Sequence, residues 1–302
     1  VTTWEIEHIP ADLLVELQER GHNIQADPAT LVVIQDKLIQ SEYLRSRGIP
    51  VAPFSAELDE SAFLGKGPFV VKSRKGGFDG RGNLVVDSLD DPRIAEKFEG
   101  ADIYAQEKLE FEKELAVIAA RDLQGNIVVY PVVETVHEDN ICHTVTSPAE
   151  VAPSVHKKAE DLAREVLKHL NGAGVFAIEM FLLNGEVIVN EIAPRVHNSG
   201  HHTIESNKTS QFEQHVRAVT GLPLGSTEQV APAAVMVNIL GTREGDLDRT
   251  GIDKVATEPG TKVHLYGKTP RPARKIGHIT TLAATADEAR EIATRSRNYL
   301  NL

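Results

Sequence analysis

The sequence predicts a mixed protein of α/β and α+β parts: an α/β opening, a β-rich insert of the kind that forms a lid, and a small α+β tail. Three observations predict this. Helical apolar spacing dominates up to the break at Gly48-Ile49-Pro50, short strand-like runs fill Pro68 to Arg121, and strands then alternate with helices to the C-terminus. With 302 residues, 41% of them hydrophobic, the chain is long enough for about two packed domains.

Each element has its own signal. Val1-Thr2-Thr3-Trp4 reads as the middle of a strand with no initial Met, so further material is expected upstream. Leu13, Leu14 and Leu17 lie at helical spacing, and Gly21 supplies a stop. A second periodic segment is expected from Ala29 to Arg47. Strands follow at Phe69–Lys72, Leu84–Val86, Ile103–Ala105, Leu115–Ile118 and Ile127–Val133. Ala159 to Leu170 is an amphipathic helix, Val175 to Ile192 is two strands around Asn184-Gly185, and Gln211 to Thr220 is a helix stopped by Gly221. The tail gives strands at Ala234–Leu240, Val263–Tyr266 and Ile276–Ala283, then a helix from Asp287 to Leu300. There is no internal repeat and no low-complexity tract.

Charge narrows the partners. With 44 acidic against 32 basic residues the net charge is −12, which opposes binding to nucleic acid or to an anionic membrane. An anionic ligand must therefore meet a local basic cluster. No apolar run approaches the ~18 residues of a membrane span, and Val1 to Pro10 lacks a signal-peptide layout. Cys142 is the single cysteine, so no disulfide forms within the chain, and a cytoplasmic, reducing setting is expected.

Four segments carry candidate chemistry. Lys72 to Asn83 holds four glycines and several cations between two strands, a composition that brings backbone N–H groups close to phosphate but equally suits a solvated hairpin tip. Glu179 and Asn190-Glu191 sit on the two arms of the hairpin, where carboxylates suit Mg²⁺ or a salt bridge. His197, His201 and His202 lack zinc spacing and read as polar contacts to a substrate. Lys268 to Lys275 concentrates four cations in an acidic chain, as a phosphate site or as a solvated turn.

The hairpin sets a geometric condition. A two-residue Asn184-Gly185 turn would pair Leu183 with Glu186 and Glu179 with Asn190, sending Glu191 to the other face. A shared metal ion therefore requires a three-residue loop, Leu183-Asn184-Gly185, or another odd-length equivalent.

The order of Lys72, the Gly-Gly-Phe-Asp-Gly-Arg-Gly loop, Glu107-Lys108-Leu109, Glu114, Glu179 and Asn190-Glu191 resembles the ATP-grasp superfamily. Within it, the segment Asn190 to His201, Ser210-Gln211-Phe212-Glu213-Gln214-His215, and Arg274-Lys275-Ile276-Gly277-His278 resemble the N5-carboxyaminoimidazole ribonucleotide synthases. The likeness runs from Thr3 to the C-terminus. It implies an ATP-grasp fold: residues 1–30 as the remnant of an N-terminal Rossmann-like domain, 31–225 as the ATP-grasp domain with its lid at about 52–110, and 226–302 as a C-terminal subdomain. It implies an ATP-dependent carboxylase that takes ATP, Mg²⁺, bicarbonate and aminoimidazole ribonucleotide by way of carboxyphosphate.

The resemblance also assigns residues. Lys37 and Lys72 would contact ATP phosphates, and Gly77, Phe78, Asp79, Gly80, Arg81, Gly82 and Asn83 would close over them. Glu107, Lys108 and Leu109 would border adenine, Glu114 the ribose, and His137 and Asn190 the nucleotide. Glu179 and Glu191 would hold Mg²⁺. Arg195, His197, Asn198, Ser199 and Gly200 would line the bicarbonate and substrate site, Lys268 and Arg274 would take the ribonucleotide phosphate, and Asp79 and Arg81 would reach the reacting groups. A homodimer is implied, and Ile34-Gln35-Asp36-Lys37 resembles fungal members, in which a carboxyaminoimidazole ribonucleotide mutase domain is fused. The family usually has Tyr at Phe78 and often Gly at Ala273. Its glycine-rich strand-helix unit precedes Thr3 to Glu7 and is not in this sequence, and Glu5 and Glu7 are further candidates for substrate contact. A formate-using glycinamide ribonucleotide ligase would share the ATP site but not the acceptor. A nonenzymatic nucleotide-binding module would bind ATP without substrate-stimulated turnover.

Overall fold

The computed structural model describes residues 1–65, 67–77, 82–246 and 249–300. The opening is helical: α1 (Ala11–Glu19), α2 (Pro28–Gln35) and α3 (Lys37–Arg45). The single segment expected over Ala29–Arg47 is thus two helices, broken at Asp36. That residue has extended backbone, and its carboxylate accepts the N–H groups of Leu38 and Ile39 as the N-cap of α3. The same carboxylate takes Nε and Nη2 of Arg74, the latter at 2.7 Å, so the break is anchored from the glycine-rich segment.

Next come β1 (Phe54–Ser55), β2 (Phe69–Ser73), β3 (Asn83–Val86), α4 (Pro92–Lys97) and β4 (Ile103–Glu107). These strands form an antiparallel sheet in the order β1-β4-β2-β3. It has its own small core, in which Phe69 and Val71 meet Phe63, Val86, Leu89, Ile94 and Phe98. Because side chains alternate, Val70 and Lys72 point to the opposite face.

The second sheet is built from β5 (Lys113–Arg121), β6 (Ile127–Val129), β7 (Val133–Glu138), β8 (Ile141–Ser147), β9 (Gly174–Leu183) and β10 (Glu186–Ala193), with α5 (Pro153–His169) between β8 and β9. After α6 (Thr203–Ser206) and α7 (Gln211–Thr220), the chain adds β11 (Ala233–Leu240), α8 (Ile252–Thr257), β12 (Thr261–Leu265), β13 (Lys275–Ala283) and α9 (Ala286–Asn298). The order is β10-β9-β5-β7-β8-β11-β13-β12, with β6 also on β5. Ala234 to Val237 pair with Thr144 to Ser147, so the late strands continue the same sheet. The strand expected over Ile127–Val133 is divided, because β6 pairs with Ala119–Arg121 and β7 with Glu114–Ala116. Pro131, which has no N–H to give a ladder, lies in the gap.

The largest core lies on one face of this sheet. Leu115, Val117, Ala119, Ile178, Met180 and Leu182 meet Val155, Ala159, Ala163, Val166 and Leu167 of α5. Each large side chain so buried contributes roughly 1.5–3 kcal/mol. The helix begins at Pro153, ahead of the expected Ala159, because its first turn is mostly polar and hides the apolar period. The opposite face carries a smaller core at one end, around Ile118, Ala120, Val175 and Ala177, and is left for the site at the other.

Candidate active site

A cleft of about 820 Å³ separates the two sheets. From the smaller sheet it receives Val70, Lys72 and Asn83, and from the larger one Glu114, Thr135, His137, Glu179, Phe181 and Glu191. Period-two alternation explains this set: Glu179 and Phe181 face the cleft, while Ile178, Met180 and Leu182 face the core. Glu107, Lys108 and Leu109 line it where the chain passes from one sheet to the other.

The paired carboxylates come from an irregular hairpin. Asn184 and Gly185 have φ of 52° and 74° and form a two-residue turn that pairs Leu183 with Glu186. The ladder runs regularly to Val189 opposite Met180, then shifts, and Glu191 lies opposite Glu179. Asn190 is the extra residue of a β-bulge. The three-residue loop is therefore not the device used. The odd offset lies within β10, and both glutamates share one face.

Electrostatics follow from this crowding. Burial, then the Glu191 carboxylate, push the Glu179 carboxyl up to about 7. Lys37 Nζ donates to Glu191 at 2.9 Å. Burial and the neighbouring Lys37 ammonium push Lys72 down to about 8, against the pull of Glu191 and Glu179. His137 Nδ1 lies 2.5 Å from Glu114. Burial disfavours its charged form, but the Glu114 carboxylate outweighs that and raises its pKa.

Beyond the carboxylates the chain turns through a 3₁₀ segment, Asn198–Gly200. His197 Nδ1 accepts the Ser199 backbone N–H, so the ring proton sits on Nε2, which is 3.5 Å from Glu179 Oε1. Burial and the Arg195 charge hold His197 neutral, with its pKa near 3. The Arg195 guanidinium forks onto Glu7, with Nη2 at 2.8 Å from Oε1. Gln211 clamps the His197 backbone, accepting its N–H at 2.9 Å and donating to its C=O at 2.7 Å.

The structure brings most of the expected residues together. Lys37, Lys72, Gly77, Asn83, Glu107, Lys108, Leu109, Glu114, His137, Glu179, Asn190, Glu191, Arg195, His197, Asn198, Ser199 and Lys268 all line the one cleft, as do Glu5 and Glu7. Three described residues do not line it. Gly200 is buried against Gln211 and Ile118, and a Cβ there would lie 2.5 Å from Gln211 Oε1. Arg274 donates from Nη1 to the Thr269 carbonyl at 2.9 Å. Gly82 forms the base of the glycine loop with Gly77: a Cβ on either would lie 2.8–2.9 Å from the other's Cα, so both must be glycine for the strands to approach. Phe78, Asp79, Gly80 and Arg81 lie outside the described residues.

Other residues of the cleft escaped the sequence reading. Phe111 and Phe181 stack with ring centroids 4.4 Å apart. Phe181 was legible in principle, two residues beyond Glu179. Lys275 also lines the cleft, and the basic run signalled it only as part of a cluster. Ala273 adopts φ of 65°, the left-handed conformation that glycine takes more readily than alanine.

The histidine-rich surroundings are structural. His202 is fully buried with Nδ1 2.7 Å from Ser206 Oγ, and His201 Nδ1 is 3.0 Å from Tyr266 Oη. Glu205, His264 and His278 bring three potential donors within 4.8 Å of one another. The two imidazoles are stacked at 4.6 Å and 20°, however, and His264 Nε2 is already bonded to Glu205. Near-parallel rings cannot aim in-plane lone pairs at one ion.

Comparison with known proteins agrees with this geometry. Residues 42–212 match the ATP-grasp domain, and residues 234–292 match the phosphoribosylaminoimidazole carboxylase C-terminal domain. The N5-carboxyaminoimidazole ribonucleotide synthase of Mycobacterium bovis is 37% identical over 314 residues, covering all of this chain and 73% of that protein. The chain belongs to the ATP-grasp family of N5-carboxyaminoimidazole ribonucleotide synthases. It is also similar to the phosphoribosylaminoimidazole carboxylase of Ogataea methanolica, 44% identical over 94% of this chain and 54% of that protein. It thus spans about half the length of the fungal relatives. The crystal structure of the Aspergillus clavatus synthase in complex with ADP and 5-aminoimidazole ribonucleotide superposes with a TM-score of 0.89, at 36% identity over 99% of this chain and 81% of that one. Among the described residues, no helix is long and apolar enough to cross a membrane.

Proposed function

We propose that the chain carries out the ATP- and bicarbonate-dependent carboxylation of 5-aminoimidazole ribonucleotide to N5-carboxyaminoimidazole ribonucleotide. The observation that carries this reading is the continuity of the cleft: His197 Nε2, at its polar end, is 3.5 Å from Glu179, at its carboxylate end. A phosphorylating site and an acceptor site that touch can hand over a short-lived intermediate without exposing it to water.

Glu179 and Glu191 would hold Mg²⁺. Two oxygen donors on one sheet face, one of them with its pKa driven up by burial and then by the other, suit a hard divalent cation. The ion, when bound, offsets charge on the ATP phosphates. Lys72 from the smaller sheet and Lys37 beside Glu191 orient the phosphates, and Phe111 with Phe181 gives a flat apolar surface for the base. A bicarbonate oxygen attacks the γ-phosphorus, ADP leaves, and carboxyphosphate forms. Arg195 and the N–H of Asn198 face its carboxyl oxygens. The exocyclic amine of the ribonucleotide then attacks the carboxyl carbon, and phosphate departs with the bridging oxygen. Lys268 and Lys275 meet the ribonucleotide phosphate. The reading extends to a cytoplasmic homodimer and to a mutase domain, fused or separate, that takes the product.

Oxygen-18 bicarbonate tests the reaction. The full-length protein, given ATP, Mg²⁺ and the ribonucleotide, should transfer one labelled oxygen to inorganic phosphate in step with product. Unlabelled phosphate beside normal product formation would overturn the carboxyphosphate route.

A further inference from the structure

Asn238 lies on β11, 3% exposed and outside the residues that line the cleft. Its Nδ2 donates to the Cys142 carbonyl at 2.9 Å. A carbonyl can only accept, so this bond fixes which end of the Asn238 amide is nitrogen. Nδ2 also donates to Asn198 Oδ1 at 2.7 Å, and Asn198 Nδ2 donates back to Asn238 Oδ1 at 2.9 Å. The two amides form a closed reciprocal pair. Its polarity is dictated from the buried end, because turning Asn198 over would set nitrogen against nitrogen and oxygen against oxygen.

We propose that Asn238 is a positioning residue for the carboxyl-transfer site, locking Asn198 so that its second N–H is a fixed donor to a carboxylate oxygen of the substrate. This rests on the reading of Asn198 as a substrate contact. One N–H of Asn198 is spent on Asn238. The other has no strong competitor among the described residues: His201 Nδ1 is 3.5 Å away and is held more closely by Tyr266, at 3.0 Å. Asn198 lines the same cleft as Arg195 and Lys275, two cations that draw an anionic group into it. An unlocked amide would present donor or acceptor by turns, and the acceptor would repel a carboxylate. A late strand thereby sets the polarity of a contact made by the 3₁₀ turn after β10.

A double-mutant cycle in the full-length protein tests this, using Asn198→Ala, Asn238→Ala and the pair, with steady-state kinetics for bicarbonate and for ATP. Each single substitution is expected to lower kcat/KM for bicarbonate about threefold to tenfold, the worth of one oriented hydrogen bond. The double variant should lose no more than Asn198→Ala alone, and KM for ATP should stay within about twofold throughout. Should Asn238→Ala not fold, Asn238→Ser replaces it, since its hydroxyl keeps a polar group in the buried site while the shorter side chain removes the reciprocal amide pair with Asn198. Multiplying losses in the double variant, or an equal rise in KM for ATP, would overturn the positioning role. Unchanged bicarbonate kinetics in Asn198→Ala would instead overturn the reading of Asn198 itself, and the proposal with it.

Discussion

Glu191 faces Glu179 across β9 and β10 although only two residues turn the hairpin, because Asn190 is pushed out of the ladder. Without that bulge Asn190 would take the position opposite Glu179, and Glu191 would point into the core between the sheet and α5. A single displaced residue therefore decides whether this hairpin presents one carboxylate to the cleft or two.

Their proximity predicts a pH dependence. Burial and Glu191 raise Glu179 from 4.5 to about 7. Between those values the folded chain holds a proton that the unfolded chain has released, so stability falls as pH climbs through the window and levels off above it. Glu179→Gln removes this slope. In magnesium-free buffer its melting temperature should match wild type near pH 5 and exceed it at pH 8. A wild-type melting temperature that gains on the variant over that range would refute the assignment.

Lys72 projects from β2 toward both glutamates, and burial with the neighbouring Lys37 ammonium depresses its pKa to about 8. Lys72→Ala should lose ~2–4 kcal/mol of transition-state stabilisation, roughly 30- to 1000-fold in kcat/KM, with little change in melting temperature. Wild-type kinetics would exclude a phosphate role. In the free enzyme, ATP affinity should weaken above about pH 8, and Lys72→Arg should move that limb upward.

The fork between Arg195 and Glu7 ties the cleft to the first residues of the chain. Both side chains are 21% exposed, so Glu7→Gln should cost roughly 1–3 kcal/mol, less than breaking a fully buried pair. Bicarbonate-dependent turnover should fall with it as Arg195 loses its orientation. Denaturant titration and initial rates read the two effects separately. A variant with full activity would show that Arg195 is held without Glu7.

Gly82→Ala sets a methyl 2.8 Å from the Gly77 Cα, a contact that backbone must move to relieve. The expected result is a raised KM for ATP with a nearly unchanged melting temperature, because the strain falls on the base of the loop and not on the core. Equal KM values would mean that the loop base tolerates being opened.

Local signals were the legible ones. Asn184-Gly185 announced the turn, Gly221 ended α7 where its left-handed conformation requires, and Val175 to Ile192 read as two strands around that turn. The break at Asp36 and the bulge at Asn190 were not legible, since each depends on a distant partner: Arg74 for the first, the register of β9 for the second. β8 was missed because Ile141 to Ser147 mixes polar and apolar residues and becomes a strand between two neighbours. Within the site, charged and glycine residues stood out by type. Asn238 and Gln211 did not, because a buried amide that steers another residue looks like any other polar residue in a sequence.

The pairing of β8 with β11 has a consequence for how the chain can be divided. A fragment ending after α7 would keep every carboxylate of the cleft but would strip Thr144 to Ser147 of their ladder partners. It would expose a flat edge of unsatisfied backbone beside the buried Val145. Such an edge recruits other strands, and the fragment would self-associate into aggregates through it. The late strands thus cover an edge that the larger sheet would otherwise leave open.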